Sequence, residues 1–204
     1  MIMQRIKSIE EKMSEDKTKL LDIELSKLKE YDIGTYNHCI EVGVISAVLA
    51  EIMNLGEEVI EKAYIAGLLH DIGKTEIDKS IINKPGKLTE EEFEKIKEHS
   101  RLGYCKLVSS YFIESAVRLA VLEHHEKEDG TGYPKGLDKD NLDIISKIVH
   151  VADVYSAIIS KRSYKEANSK EYALKELKTN IGKSFDGEVV YALETYIKYK
   201  TKSK

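Results

Sequence analysis

Tryptophan is absent from this 204-residue chain, and proline (two), cysteine (two) and phenylalanine (three) are scarce. Two cysteines, Cys39 and Cys105, make no disulfide framework, so a reducing, cytoplasmic setting is expected. The longest apolar run, "VGVISAVLA" at 42–50, is far short of the roughly 20 residues a membrane span requires, so no span is expected. The opening "MIMQRIKSIEEKM" has neither the apolar core nor the cleavage site of a signal peptide. Neither sign of charge dominates: 32 basic residues against 36 acidic ones leave a net charge of −4. That balance argues against long nucleic acid as a partner, while a small anionic ligand in a local basic pocket remains compatible with it.

What is present is helix. Hydrophobic residues make up 42% and charged residues 33% of the chain, the composition of a globular domain able to bury a core. Only Pro85 and Pro134 interrupt the pattern as prolines. Residues 5–30 carry Ile6, Ile9, Met13, Leu20 and Ile23 at spacings of three, four and seven, one amphipathic stripe. This N-terminal helix, 1–30, is expected to pack on its own domain, or else to form a homodimer or be the remnant of a link to a sensor. Further helices are expected at about 36–53, 57–71, 113–126, 141–160, 169–180 and 187–199. "TEEE" at 89–92 reads as a capping box, Thr89 with Glu92, opening a helix that carries His99. No stretch alternates with the period of a strand. The expected fold class is all-α, about eight helices, with one domain at 31–204.

The chemistry lies in six histidines: His38, His70, His99, His124, His125 and His150. A lone histidine on an apolar helix face is usually a hydrogen-bonded core residue. Here, however, Asp71 follows His70 at once, His124 and His125 are adjacent, and Asp153 interrupts the apolar "IVHVADVYSAI". A carboxylate on a buried helix face is costly unless paired or metal-bound. Imidazole with carboxylate suits iron, manganese, zinc or nickel. Two such ions can share a carboxylate, activate water and clamp a phosphoester. The pattern suggests a metallophosphohydrolase.

Four stretches, "HDIGK" (70–74), "KPGKLTEEEFEKIKEH" (84–99), "HHEKEDGTGYPKGL" (124–137) and "VADVYSA" (151–157), resemble the HD-GYP family, as does "GKSFDGEVV" (182–190). The resemblance covers about 34–195. It implies an HD-type helical domain and a metal-dependent phosphodiesterase that opens a cyclic dinucleotide, cyclic di-GMP first, to the linear pGpG and onward to GMP. It implies a hydroxide bridging two divalent ions, iron or manganese before zinc or nickel. By the same resemblance Asp71 bridges, His38, His70 and Asp153 complete one ion's ligands, and His99, His124 and His125 complete the other's. Lys74 stands by the scissile phosphate, Arg162 and Lys165 hold substrate phosphate, and Gly132, Tyr133 and Pro134 shape a wall of the site or dock a partner. His150 matches no ligand and is expected in a supporting or core role. Cys39 should point away from the site.

The chain departs from the family at Gly34, Ser100, Glu128 and Ser156. Some relatives have a glutamate at the position of Gly34 that helps hold a third metal, so two ions are expected here. Glycine at that point could also be needed for a turn. A catalytically weak cyclic-dinucleotide receptor, or a hydrolase of another nucleotide, are the alternative readings.

Overall fold

The computed structural model describes residues 2–160 and 168–202. Arg162 and Lys165 lie outside the described residues. Ten α-helices occur among those described: α1 (Ile2–Lys12), α2 (Glu15–Tyr31), α3 (Ile33–Ile52), α4 (Glu57–Leu69), α5 (Lys79–Ile82), α6 (Glu90–Leu107), α7 (Ser115–Glu123), α8 (Ile144–Ile159), α9 (Lys170–Thr179) and α10 (Gly187–Lys202). A 3-10 turn, Ile72–Glu76, follows α4. The described residues contain two isolated β-bridges and no strand.

Two differences raise the helix count above eight. The N-terminal helix is two helices, because Ser14 caps α2 by accepting the Lys17 amide at 3.3 Å, with Glu15 and Asp16 in the first turn. Serine followed by acids is an N-terminus signal that outweighs the continuing apolar stripe. The other addition is α5, a single turn in the 75–88 connection. The helix at 57–71 is also shorter than expected, ending at Leu69.

α3 is the central element, packed by α2, α4, α8 and α10. It is apolar around its circumference because neighbours cover it on several sides, as Cys39, Val42, Ile45, Val48 and Leu49 show by their burial. Its 20 residues are long and apolar enough to cross a membrane by length and composition alone, but such a face is equally that of a core helix. The N-terminal pair packs on this bundle: Ile6, Ile9, Leu21 and Leu28 are buried in the core, whereas Ile23 is 45% exposed. Each fully buried aliphatic side chain contributes about 1.5–3 kcal/mol by leaving water. Polar ties add direction. Tyr64 Oη donates to Glu10 at 2.6 Å, and Lys17 Nζ reaches Glu61 at 2.9 Å and Glu114 at 2.8 Å.

The capping box at α6 is complete. Thr89 Oγ1 accepts from the Glu92 amide at 3.2 Å, and Glu92 accepts from the Thr89 amide at 2.7 Å. α6 then runs against the 3-10 turn and α7. The histidines meet where α3, α4, α6, α7 and α8 converge.

Candidate metal centre

His70 is the C-cap of α4, and Asp71 begins the departure from the helix at φ −103°, ψ 5°. The turn that follows is set by a close approach. A Cβ at Gly73 would fall 1.9 Å from the carbonyl oxygen of His99 and 2.5 Å from the Gly103 amide nitrogen. Only glycine lets the turn lie on α6 there. This contact brings Asp71 between two histidines. Its Oδ2 lies 3.3 Å from His70 Nε2, and its Oδ1 lies 3.3 Å from His99 Nε2. Lys74 is on the 3-10 turn with Nζ 2.6 Å from Asp71 Oδ2.

The imidazoles form two groups. The ligand atoms of His99, His124 and His125 lie within 4.8 Å of one another, as do those of His38, His70 and Asp71. Asp153 Oδ1 is 2.8 Å from His38 Nε2 and 3.8 Å from His70 Nε2. The tandem histidines face one place because α7 stops at Glu123: His124 is its cap, and His125 has already left the helix. Both Nε2 atoms point at His99 Nε2, at 3.1 and 3.2 Å.

Hydrogen bonds decide which nitrogens are available. A carbonyl can only accept, so a ring nitrogen bonded to one must carry the proton. His70 Nδ1 donates to Gly67 at 2.8 Å, His99 Nδ1 to Ile96 at 2.6 Å, and His124 Nδ1 to Val121 at 2.8 Å. Each acceptor is the carbonyl three residues earlier. In the neutral ring Nε2 then presents a lone pair. Among the described residues the buried His70 Nε2 has no hydrogen-bond partner, and those of His99 and His124 oppose one another at 3.1 Å. Opposed lone pairs repel unless a cation lies among them. The donor set therefore fits divalent transition ions, with imidazole and carboxylate in the proportions such ions take.

Electrostatics agree. Burial, and then neighbouring imidazoles, push His124 well below its ordinary pKa. Burial lowers His125 similarly and His99 to about 4, so these rings are neutral near pH 7. Burial also outweighs Asp153 at His38 and lowers it. Against the burial that would raise it, Lys74 and His70 hold Asp71 well below the usual carboxylate range. Asp153, buried among His38, His70 and His125, is likewise held down. His70 runs the other way: against its burial, Asp71 raises it well above its ordinary pKa, so the metal-free site keeps a proton there and a cation would take its place beside the carboxylates.

The loop after the tandem histidines is held by two glutamates that sequence reading did not single out. Glu126, 1% exposed, accepts from the amides of Lys135, Gly136 and Leu137 at 2.6, 3.1 and 3.1 Å. Glu123 pairs with Lys135 Nζ at 3.0 Å and accepts from Ser146 Oγ at 3.3 Å. Gly132 lies so close to the chain that its Cβ would meet Glu126 Cα at 2.4 Å. This places Tyr133, joined to Pro134 by a cis bond, with its ring stacked on His125 at 4.7 Å between centroids. The loop thus forms a wall against His125. The sequence signal for the glutamates was weak: Glu123 closes the apolar run "AVL", and Glu126 precedes a glycine-rich stretch full of unpaired amides.

Other expected positions separate clearly. His150 belongs to neither ligand group; its ring lies 4.9 Å from Phe185, and burial, outweighing the nearby Asp153, lowers its pKa to about 4. Cys39 Sγ lies 3.9 Å from His70 Nδ1, the nitrogen turned away from the cluster. Cys105 is exposed. Ser100 is buried and donates to the Lys97 carbonyl at 3.2 Å, and Glu128 lies near Lys147 and Asp186. Gly34 is in the first turn of α3 without positive φ, so no turn demands glycine there.

An all-helical bundle whose buried histidines and aspartates form two adjoining groups around one shared carboxylate defines the HD class of metal-site proteins. The chain belongs to the HD domain family, whose model it matches over residues 7–189. It is 40% identical over 171 residues to a cyclic di-GMP phosphodiesterase of Thermotoga maritima, covering 82% of this chain and 46% of that protein. To the cyclic di-GMP phosphodiesterase response regulator RpfG of Xanthomonas campestris pv. campestris it is 41% identical, over 83% of this chain and 45% of the relative. The chain thus spans about half the length of these curated relatives. Among solved structures it shares the fold of Bd1817, an HDG"Y"P protein from Bdellovibrio bacteriovorus. That match has a TM-score of 0.66 and 22% identity, over 79% of this chain and 51% of that one.

Proposed function

We propose that this chain is a metal-dependent phosphodiesterase acting on a cyclic dinucleotide, with cyclic di-GMP as its substrate. The observation that carries the reading is the two-sided Asp71, each oxygen 3.3 Å from a different histidine group. The relatives' names supply the substrate class. His38, His70 and Asp153 with one oxygen of Asp71 would hold one divalent ion, and His99, His124 and His125 with the other oxygen a second. Iron or manganese are the ions to test first. Two such ions lower the pKa of a water and offset charge gathering on the phosphoryl oxygens.

The chain's own residues do the rest. The Nδ1 bonds to backbone carbonyls keep His70, His99 and His124 in one tautomer and orientation throughout turnover. Lys74 adds a cation beside Asp71, where a phosphate oxygen would approach. Arg162 and Lys165 would bind substrate phosphate, arginine through its planar fork of donors. Tyr133 closes the His125 side against water. The free cysteines fit a reducing cytoplasm.

Gly34 supplies no side-chain ligand, so we assign two ions and the linear dinucleotide as main product. Anaerobically purified protein is analysed for metal, and cyclic di-GMP turnover is followed by chromatography. Two ions per chain with accumulation of the linear product is the expected result. Tight substrate binding without turnover would make the protein a receptor and overturn the reading. Three ions, or rapid complete conversion to GMP, would overturn the metal count or the product. A Cβ at Gly34 meets only Asp32 Oδ1, at 3.2 Å, so Gly34→Glu can be made to ask whether a third ion then binds.

A further inference from the structure

We infer that Glu41, acting through Ser156, fixes the tautomer of His38 and so sets the affinity of the ion on the His38 side. The inference rests on the metal-site reading above. His38 differs from His70, His99 and His124 in using no backbone carbonyl in the bonds described. Its Nδ1 lies 2.9 Å from Ser156 Oγ, on another helix. A hydroxyl can donate or accept, so Ser156 alone would leave either tautomer open. Glu41 removes the ambiguity. Its Oε2 lies 2.6 Å from Ser156 Oγ and 3.0 Å from Ser160 Oγ, and an ionised carboxylate only accepts. Ser156 must therefore give its proton to Glu41 and receive one from His38 Nδ1. In the neutral ring this leaves a lone pair on His38 Nε2, 2.8 Å from Asp153 Oδ1. Two electron-rich atoms at that separation require a cation between or beside them.

The arrangement follows from helix periodicity. His38 and Glu41 are three apart on α3, and Asp153 and Ser156 are three apart on α8, so both pairs share a face where the helices pack. Ser160, the C-cap of α8, adds a second hydroxyl to the same carboxylate oxygen. Ser156 is fully buried, which keeps water from substituting for it. Glu41 is thus a positioning residue: it touches neither substrate nor metal and acts by making His38 present Nε2. If the hydroxyl or the carboxylate is lost, His38 can move its proton to Nε2 and bond Asp153, blocking two ligands of the same ion at once.

The test uses the full chain loaded with manganese or zinc. Affinity of each ion is measured by chelator competition, and the His38 ring nitrogens are assigned by 15N NMR in the zinc form. Ser156→Ala and Glu41→Ala should each weaken the His38-side ion about 10–100-fold and leave the other ion unchanged. Wild type should show a protonated Nδ1 at His38. Glu41→Ala combined with Ser156→Asp puts one carboxylate directly on Nδ1 without a like-charged neighbour, and it should restore affinity. Wild-type affinity for both ions in Ser156→Ala, which removes one oxygen atom and threatens the fold least, would overturn the inference. So would an Nε2-protonated His38 in wild type, or equal weakening of both ions. A wild-type chain that binds no metal would instead overturn the reading of the site, so the two failures are distinguishable.

Discussion

Replacing Gly73 with alanine measures how far the site depends on the turn's contact with α6. The added Cβ would lie 1.9 Å from the His99 carbonyl oxygen, where ordinary contact begins at 3.4 Å. The turn and α6 must therefore separate by about 1.5 Å, and since both neighbours are backbone, no side chain can rotate away. Overpacking of this kind costs about 1–3 kcal/mol. Alanine also stiffens the unfolded chain and returns about 0.4–1 kcal/mol, too little to reverse the sign. With about 0.7 kcal/mol returned the net cost is about 0.3–2.3 kcal/mol, and at about 2–4 °C per kcal/mol for a domain of this size a fall of roughly 1–9 °C is expected. The same displacement draws Asp71 away from His99, now 3.3 Å apart, and should lower metal content along with stability. Gly103→Ala is the control: its Cβ meets the Val121 side chain at 3.0 Å and can be accommodated more cheaply. Calorimetry and metal analysis on both variants give the answer. A Gly73→Ala protein that melts with wild type and carries a full metal complement would refute the reasoning.

Asp71→Ala should lose both ions and turnover together, because each group loses its shared oxygen; normal turnover with full metal would remove Asp71 from the bridging role. Arg162→Ala should leave metal content intact and weaken substrate binding about 10–100-fold, the worth of a charged hydrogen bond of about 1.5–3 kcal/mol. Unchanged KM and kcat would make Arg162 a surface charge. His150 gives a pH prediction, because burial depresses it from 6.5 to about 4 in the folded state. Below pH 6.5 the unfolded chain takes the proton first, so stability falls with pH until about 4 and then levels. The contribution over that window is on the order of 3 kcal/mol. Urea unfolding of metal-free His150→Gln at pH 7 and 4.5 should show a shallower loss than wild type, and parallel losses would refute this.

The helices were legible where local signals were strong. The apolar periodicity of α3 and α8 and the Thr89–Glu92 box each predicted an element that is present. The break at Ser14 was legible too, in "SED", but was masked by the apolar stripe running through it. The early end of α4 was not legible, since "HDIGK" has no proline. Its 3-10 turn is fixed by contact with His99 and Gly103, residues far along the chain. The histidines stood out because imidazole is rare in the composition, with six in 204 residues. Glu41, Glu123 and Glu126 did not, because a chain that is 33% charged offers many glutamates, most of them solvated. Only the packing shows that Glu126 is 1% exposed and serves three amides.

Orientation and spacing of the site are therefore encoded differently. His70, His99 and His124 each take their tautomer from a carbonyl three residues back, so the helix that carries the ring also aims it. That part of the design travels with the local sequence. Distances between the rings depend on contacts such as Gly73 on α6, which no local pattern specifies. His38 combines both dependences, since α8 supplies Ser156 to aim its ring and Asp153 to face it. The two groups are consequently unequal. The His99, His124 and His125 group is oriented largely within α6 and the end of α7, whereas His38 in the other group also needs α3 and α8 in register. A change that slides α8 along α3 would disturb the contacts of His38 with Ser156 and Asp153 before those of the His99 group.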